Sequence, residues 1–290
     1  MALLVGLARL AAVTVAALVM FWALGFQTSF LPVATSADDD AASSTTQLDF
    51  IYSVLHPLLM VIGFILLTGE AILAHRTMGR WSRGTRKSAH LALQGAAFGF
   101  GVFGIWAKFQ ANDGVVSNFL SLHSWMGLLC LSLFASQWVV GFLSFWHRGE
   151  GRRARAAVLP WHVFLGLYTY GLAVATAETG LLEKLTFLQA SRASASSSSS
   201  AARRSLESVL VNALGVGLAL LCGVVVLAAV SPKGRRGGRK AAATPAKGSN
   251  GYDAVIPINN GDRSHGYRHP SSPMLMGEEE AGDGDWKLHN

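Results

Sequence analysis

The hydrophobic positions of this chain are grouped in long blocks, without the alternation of faces that marks an amphipathic helix of a soluble protein. A block of about 20 apolar residues is long enough for one helical crossing of a bilayer. Six such blocks occur, at residues 5–32, 51–74, 88–109, 119–146, 158–178 and 206–230. The pattern predicts an all-α, polytopic membrane protein built as a bundle of six transmembrane helices.

The composition agrees with this class and excludes others. Of the 290 residues, 51% are hydrophobic and only 14% are charged, which is too apolar for a soluble domain of this length. The net charge of +7 comes from basic residues that flank the apolar blocks, as in membrane proteins. We therefore expect the chain to contact membrane lipid and not to bind nucleic acid. The two cysteines, Cys130 and Cys222, lie inside apolar blocks and are predicted to be packing residues.

The ends and links of the chain divide it into three parts. Residues 1–48 are predicted to form a first transmembrane helix and an acidic link, although a cleaved signal peptide ending near Ala34 to Ala37 is the alternative. Residues 49–230 hold the other five blocks, with Pro160 predicted near the first position of the fifth helix. The serine tract at residues 196–200 and the tail at residues 231–290 are predicted to be disordered.

Basic clusters follow the second, fourth and sixth blocks, at residues 76–87, 148–155 and 233–240. The positive-inside rule makes the side that these clusters share the cytosolic side. Arg203 and Arg204 lie on the opposite side and are outnumbered. The prediction is a multi-pass protein with both termini in the cytosol.

Four of the apolar blocks each contain one histidine near one end: His56, His90, His123 and His162. A polar side chain at that depth usually faces the protein interior and marks a site, although a single one is more often a satisfied core residue. In the predicted topology, His56 and His123 lie near the outer face, and His90 and His162 lie near the cytosolic face. The sequence therefore predicts two histidine pairs, each drawn from two helices. His75 and His147, beside basic loops, are predicted to be solvated.

Two neutral imidazoles from facing helices suit the axial ligation of a haem iron. The two pairs are separated by about 14–16 residues, or roughly 20–25 Å at the rise of an α-helix. Di-iron sites need histidines one helical turn apart, and zinc sites need closer ligands or a carboxylate, so both fit less well. No glycine-rich nucleotide loop follows a strand, so the electron donor is expected to be a separate molecule. Aromatic side chains are predicted to form an apolar jacket, namely Phe98, Phe100, Phe103, Trp106, Phe134, Trp138 and Phe142.

These residues lie in stretches that resemble the cytochrome b561 family of the plant ascorbate ferrireductase type. The resemblance covers about residues 5–230 and includes all four histidines in order. The stretches that carry it are His56-Pro57-Leu58-Leu59-Met60, Gly69-Glu70-Ala71-Ile72-Leu73, Ser121-Leu122-His123-Ser124-Trp125, Pro160-Trp161-His162-Val163-Phe164-Leu165-Gly166 and residues 179–187.

The resemblance implies a bundle in which four central helices bind two b-type haems through the four histidines. It implies electron transfer from cytosolic ascorbate to monodehydroascorbate or a ferric chelate on the other side, and a homodimer. The membrane would be an endomembrane, such as that of the vacuole, or the plasma membrane. No catalytic residue is assigned.

The resemblance also implies a cytosolic ascorbate site made of basic residues. The matching positions are Arg86 and Lys87, before the third-helix histidine, and Arg155 with its neighbours Arg152 and Arg153, before the fifth helix. Ascorbate is an anion that a basic rim would concentrate, although the same charges could serve only to set topology.

The outer side departs from the family pattern, with Gln110 where many members have histidine and Leu120 where many have tyrosine. The departures weaken the expectation of a second, outer ascorbate-type site. They leave open a haem-binding structural or sensory subunit that passes no electrons to a diffusible acceptor. A transporter would need intramembrane carboxylates or broken helices, and Glu70 at a helix end gives that little support.

Overall fold

The computed structural model describes residues 2–27, 51–110, 119–147, 151–193 and 197–232. Within these ranges the chain forms six helices that are long and apolar enough to cross a membrane, and no strands. They are α1 (Ala2–Phe26), α2 (Ile51–Thr77), α3 (Arg83–Gln110), α4 (Leu122–Phe142), α5 (Arg152–Ala193) and α6 (Ser198–Val230). The predicted all-α, six-helix class is confirmed, and the protein is an integral multi-pass membrane protein.

Helices α2, α3, α4 and α5 pack in sequence against one another and form a four-helix core. Its interior is apolar, with Phe64 of α2 and Phe98 of α3 both against the ring of Phe134 of α4. Small residues bring the backbones close: a Cβ added at Gly63 would lie 2.6 Å from Phe100. Without a hydrophobic drive between helices in lipid, such close packing is what holds the bundle together.

Helices α1 and α6 pack on each other along one side of this core. The buried face of α6 repeats at three- and four-residue steps, and α1 supplies the matching buried residues Val15 and Val19. A Cβ at Gly217 would lie 3.1 Å from Val15, so the two backbones approach closely. The predicted cleavage site of the alternative signal peptide, at residues 34–37, lies outside the described residues.

Two local devices place the histidine-bearing segments. The side chain of Ser121 accepts a hydrogen bond from the backbone N–H of Ser124 and caps α4, so His123 lies in the first turn of that helix. In α2, Pro57 follows His56 and removes one backbone donor, and a π-helical stretch, Leu59–Leu66, begins shortly afterwards. Such widened turns occur often at functional sites.

The fifth helix differs from the prediction at both ends. It spans Arg152–Ala193, much longer than the predicted 158–178, so Pro160 lies inside the helix and not near its first position. The missing N–H of Pro160 leaves the carbonyl one turn earlier without its helical donor, on an exposed part of the helix where water can replace it. The polar segment after Glu178 continues the helix because it packs against α6.

The serine tract is also ordered where the structure describes it. Ser197 caps α6 by accepting a hydrogen bond from the N–H of Ser200, and residues 198–200 form the first turn, so the predicted disorder is wrong for this part. Ser196 and the tail from residue 233 lie outside the described residues. Cys130 is a buried free thiol whose Sγ–H donates to the carbonyl of Thr169, and Cys222 is a half-buried free thiol, as expected for packing residues.

Candidate functional site

The four histidines form two facing pairs in the four-helix core. The rings of His56 on α2 and His123 on α4 have centroids 6.2 Å apart and planes at 89°. The rings of His90 on α3 and His162 on α5 have centroids 6.3 Å apart and planes at 72°. The pairing expected from the sequence is therefore the pairing that the fold produces.

Three of these rings are held by backbone carbonyls of a neighbouring helix. The Nδ1–H of His56 donates to Gly104, that of His90 to Ala71 and that of His123 to Thr176, each at 2.8 Å. A carbonyl oxygen can only accept, so Nδ1 carries the proton and Nε2 keeps its lone pair. This is the tautomer needed in a metal ligand, and the hydrogen bond orients the ring.

The same hydrogen bonds measure the distance between the two pairs. Gly104, beside His56, lies about four helical turns after His90 on α3. Ala71, beside His90, lies about four turns after His56 on α2. At the rise of a helix these separations are about 21–23 Å. The two pairs therefore lie at opposite ends of the core, as the sequence predicted.

Two glycines leave space for the rings of α4 and α5. A Cβ added at Gly180 would lie 2.8 Å from Cε1 of His123, and one at Gly141 would lie 2.9 Å from Cε1 of His162. Any larger residue would push the ring out of place. These glycines were not singled out as site residues in the sequence, because the contact depends on how the helices are aligned.

A cavity of about 1000 Å³ borders the His56–His123 pair. Its wall includes both histidines, the small residues Gly127 and Gly180, and apolar side chains of α2, α5 and α6. A mostly apolar cavity of this size accommodates a large, flat organic group.

The residues fit a haem at each pair. Two imidazoles bound to one metal ion through bonds of about 2 Å have ring centres roughly 6 Å apart, close to both observed separations. The Nδ1–H donations to carbonyls leave Nε2 of His56, His90 and His123 available, and Gly180 and Gly141 provide room for the rings of His123 and His162. Among the described residues there is no cluster of three or more histidine, cysteine or carboxylate side chains that would hold a bare metal ion.

Comparisons with known proteins agree with this geometry. Residues 55–188 match the family model described as eukaryotic cytochrome b561. The chain is 58% identical over 230 residues to the probable transmembrane ascorbate ferrireductase 4 of Arabidopsis thaliana, covering 79% of this chain and 86% of that protein. The chain belongs to the cytochrome b561 family.

Other relatives carry related names. Identity is 43% over 220 residues to transmembrane ascorbate ferrireductase 2 of Arabidopsis thaliana, covering 75% of this chain and 86% of that protein. Identity is 38% over 222 residues to ascorbate-specific transmembrane electron transporter 2 of Zea mays, covering 76% of this chain and 86% of that protein. Membership of the cytochrome b561 family implies a protein that binds haem b.

The basic residues predicted for ascorbate lie on the same helices as His90 and His162 and differ in exposure. Arg86 and Lys87 are about one turn before His90 on α3, and Arg152, Arg153 and Arg155 are about two to three turns before His162 on α5. Lys87 is half-buried, one turn before His90, and its Nζ donates to the carbonyl of Phe145, whose ring packs against His162 at 5.3 Å. Arg86 and Arg155 are half-buried, whereas Arg152 and Arg153 are exposed. Lys87 therefore has a structural role in linking α3 to the π-helical segment Leu143–His147 that follows α4, in addition to any role with an anion.

Two sequence interpretations are refined by the structure. His75 is exposed, as expected, but its ring lies 5.2 Å from the ring of His90, a contact that the sequence analysis missed. The aromatic jacket is divided: Phe98 and Phe134 stack inside the core, whereas Phe100, Phe103 and Trp106 are at least 40% exposed on the outer surface of the chain. The side chain of His147 lies outside the described part.

One buried carboxylate was also missed. Glu207 of α6 is 7% exposed and accepts hydrogen bonds from Nε1 of Trp22 at 3.0 Å and Nε2 of Gln27 at 3.3 Å. It forms an ion pair with Lys184 of α5 at 3.2 Å. In the predicted block 206–230, Glu207 is near a helix end, where a carboxylate is common. In the structure α6 begins at Ser198, so Glu207 lies inside the helix and joins three helices.

Proposed function

We propose that this protein is a membrane oxidoreductase that carries electrons from ascorbate on one face of the membrane to an acceptor on the other. The observation that carries the proposal is the presence of two histidine pairs at opposite ends of one four-helix core. Each pair would hold one b haem, with His56 and His123 as one ligand set and His90 and His162 as the other. Bound haem supplies a one-electron couple.

The residues of the chain supply position and insulation. The carbonyls of Gly104, Ala71 and Thr176 fix the ring orientation of three ligands. The stacked rings of Phe98 and Phe134 lie in the core between the pairs and exclude water from it. Haem with two protein ligands has no open coordination position for substrate, which suits electron transfer and not oxygen chemistry.

The donor is proposed to be ascorbate at the His90–His162 end, on the cytosolic side, with both termini on that side. The names of the relatives support an ascorbate donor. Arg86, Lys87, Arg152, Arg153 and Arg155 form a basic surface there that attracts an anion.

The acceptor is proposed to be monodehydroascorbate or a ferric chelate at the His56–His123 end. The word ferrireductase in the names of two relatives supports a ferric chelate, and monodehydroascorbate is proposed from the resemblance to the family. By the same resemblance, the protein is proposed to be a homodimer in an endomembrane, such as that of the vacuole, or in the plasma membrane.

An absorption spectrum of the purified full-length protein tests this proposal. Addition of ascorbate should produce a sharp α-band of reduced b haem, and a haem assay should give two haems per chain. A spectrum that ascorbate leaves unchanged would reject the donor, and one haem per chain would reject the two-site arrangement. Haem that is reduced but cannot pass electrons to an added ferric chelate would favour the structural or sensory alternative.

A further inference from the structure

The fourth histidine lacks the hydrogen bond that the other three possess. Among the residues that the structure describes, Nδ1 of His162 is buried without a partner. His56, His90 and His123 each donate from Nδ1 to a neighbouring helix. A buried donor without an acceptor costs free energy, about 1–3 kcal/mol, so this position is expected to have one.

The neighbourhood of His123 indicates where the missing acceptor lies. His123 of α4 contacts two residues of α5 that are one turn apart: Thr176, whose main-chain carbonyl accepts from Nδ1, and Gly180, whose added Cβ would meet the ring. His162 of α5 contacts Gly141 of α4 in the same way, with Cε1 the nearest ring atom in both cases. The residue one turn before Gly141, at the position equivalent to Thr176, is Gln137. Its main-chain carbonyl does not accept from His162, whose Nδ1 has no partner among the described residues, so the side chain of Gln137 is the candidate acceptor.

The spacing along the two helices supports this equivalence. The separation from His123 to Gln137 on α4 equals the separation from His162 to Thr176 on α5. Because α4 and α5 are consecutive, packed membrane helices, they run antiparallel, and equal separations on the two helices span the same depth. Thr176 lies level with His123, to which it is hydrogen-bonded. Gln137 therefore lies at the depth of His162.

Gln137 has the complementary group. Its side-chain Oε1 is buried, and in the part of the chain that the structure describes it has no hydrogen-bond donor. An amide oxygen accepts, and the protonated Nδ1 of a neutral imidazole donates, so the two atoms satisfy each other.

A second pair of buried atoms explains why Gln94 is not the acceptor. Oε1 of Gln94 on α3 and Nε1 of Trp138 on α4 are also without partners among the described residues. A Cβ added at Gly95, next to Gln94, would lie 3.5 Å from Nε1 of Trp138. The indole N–H is thus the natural donor for Gln94, which leaves Gln137 for His162.

We propose that Gln137 is a positioning residue whose amide oxygen accepts a hydrogen bond from Nδ1–H of His162. The bond fixes the tautomer and orientation of His162 and increases the basicity of Nε2, which stabilises the oxidised iron at that end. The proposal rests on the proposed His90–His162 haem site. It makes Gln137 a determinant of the reduction potential of that haem and not a group that touches the donor.

The test is a potentiometric titration of full-length protein carrying Gln137→Met, which keeps the length of the side chain and removes the amide oxygen. Haem content should remain at the wild-type value. The reduction potential of the haem at the His90–His162 pair should rise by about 59 mV, which is a shift of about tenfold towards the reduced form for a one-electron couple. Gln137→Glu keeps an acceptor oxygen and should show no shift in that direction.

Gln94→Met is the matched control, because it removes an equally buried amide oxygen from the facing helix. It should leave the potential of that haem closer to the wild-type value than Gln137→Met does. Unchanged potentials in Gln137→Met, or an equal shift in Gln94→Met, would overturn the proposal.

Should Gln137→Met lose haem, haem retention in Gln137→Glu would support the hydrogen bond, and haem loss in both would overturn it. His162→Ala tests the proposed haem site separately from the proposed hydrogen bond. Full haem retention in that variant would reject the His90–His162 site itself.

Discussion

At the scale of single residues, the histidine pairs and the glycines beside them carry most of the specificity of the site. The choice of the four histidines could be made from the sequence because polar side chains are costly inside a membrane. Their backbone acceptors could not, because Gly104, Ala71 and Thr176 are selected by the alignment of neighbouring helices. The contacts of Gly141 and Gly180 with the histidine rings could not be predicted for the same reason.

The pairs can be separated by removing one ligand. His162→Ala should remove the haem shared with His90 and leave the haem of His56 and His123, since the two pairs use different helices. Haem per chain, measured by a pyridine haemochrome assay, should fall by about half. The exposed His75 provides the control, because His75→Ala should keep both haems. Loss of a haem in His75→Ala would mean that the ligand beside His90 is assigned incorrectly.

The glycine contacts predict a second effect at this scale. Gly180→Ala places a Cβ 2.8 Å from the ring of His123, and the overpacking should cost about 1–3 kcal/mol at that site. The haem of the His56–His123 pair should be lost or weakened, as measured by haem content and the spectrum of the remaining haem.

A Cβ added at Gly171 of the same helix would have no atom within 4 Å. The Gly171→Ala variant is therefore the matched control and should bind both haems. Equal haem content in the two alanine variants would contradict the role of Gly180.

At the scale of helices, the sequence predicted the number and the apolar centres of the elements but not their ends. The fifth helix extends through polar residues because it packs against α6, which hydrophobicity alone cannot show. The extensions of α5 and α6 together form the junction of α1, α5 and α6 at Glu207, because Lys184 lies in the added part of α5 and the longer α6 makes Glu207 an interior residue. At the opposite end of α6, the guanidinium of Arg76 donates to the last carbonyls, Ala229 and Ser231, and interacts favourably with the helix dipole.

The Glu207 junction predicts a change in stability without a change in haem. Glu207→Ala removes the acceptor of Trp22 and Gln27 and leaves Lys184 without its ion pair. The cost should be about 1–3 kcal/mol for the buried hydrogen bonds, with little added by the partly exposed Lys184. The thermal unfolding midpoint in detergent should fall, and haem content should stay at the wild-type value.

The pair of Arg9 and Glu70 gives the comparison, since it is more exposed and its atoms are 3.4 Å apart. Arg9→Ala should lower the midpoint by much less than Glu207→Ala does. A larger effect of Arg9→Ala would contradict the greater cost expected for losing the buried interactions of Glu207.

At the scale of the whole molecule, the basic surface proposed for ascorbate lies at the His90–His162 end of the core. If this surface attracts ascorbate, Lys87→Ala combined with Arg155→Ala should slow haem reduction by ascorbate about tenfold at low salt. A neutral hydroquinone should be affected much less, because the lost interaction is with an anion. Rapid mixing with either reductant measures both rates.

Ionic strength provides an internal check on this prediction. Partly exposed charges are screened over about 10 Å at 0.1 M salt, so added salt should slow the wild type more than the double variant. Because Lys87 also binds the carbonyl of Phe145, haem content is measured in parallel. Equal slowing with both reductants would indicate damage to the His90–His162 site and not a lost anion site.

The central claim, electron transfer from one face of the membrane to the other, is tested most directly in sealed vesicles. Protein of known orientation is reconstituted with ascorbate inside and an impermeant ferric chelate outside, and formation of the ferrous product is followed. With the His90–His162 end facing inwards, the wild type should reduce the external chelate, and His56→Ala should stop this while the remaining haem is still reduced. Rapid reduction of haem without formation of external ferrous product in the wild type would contradict the account.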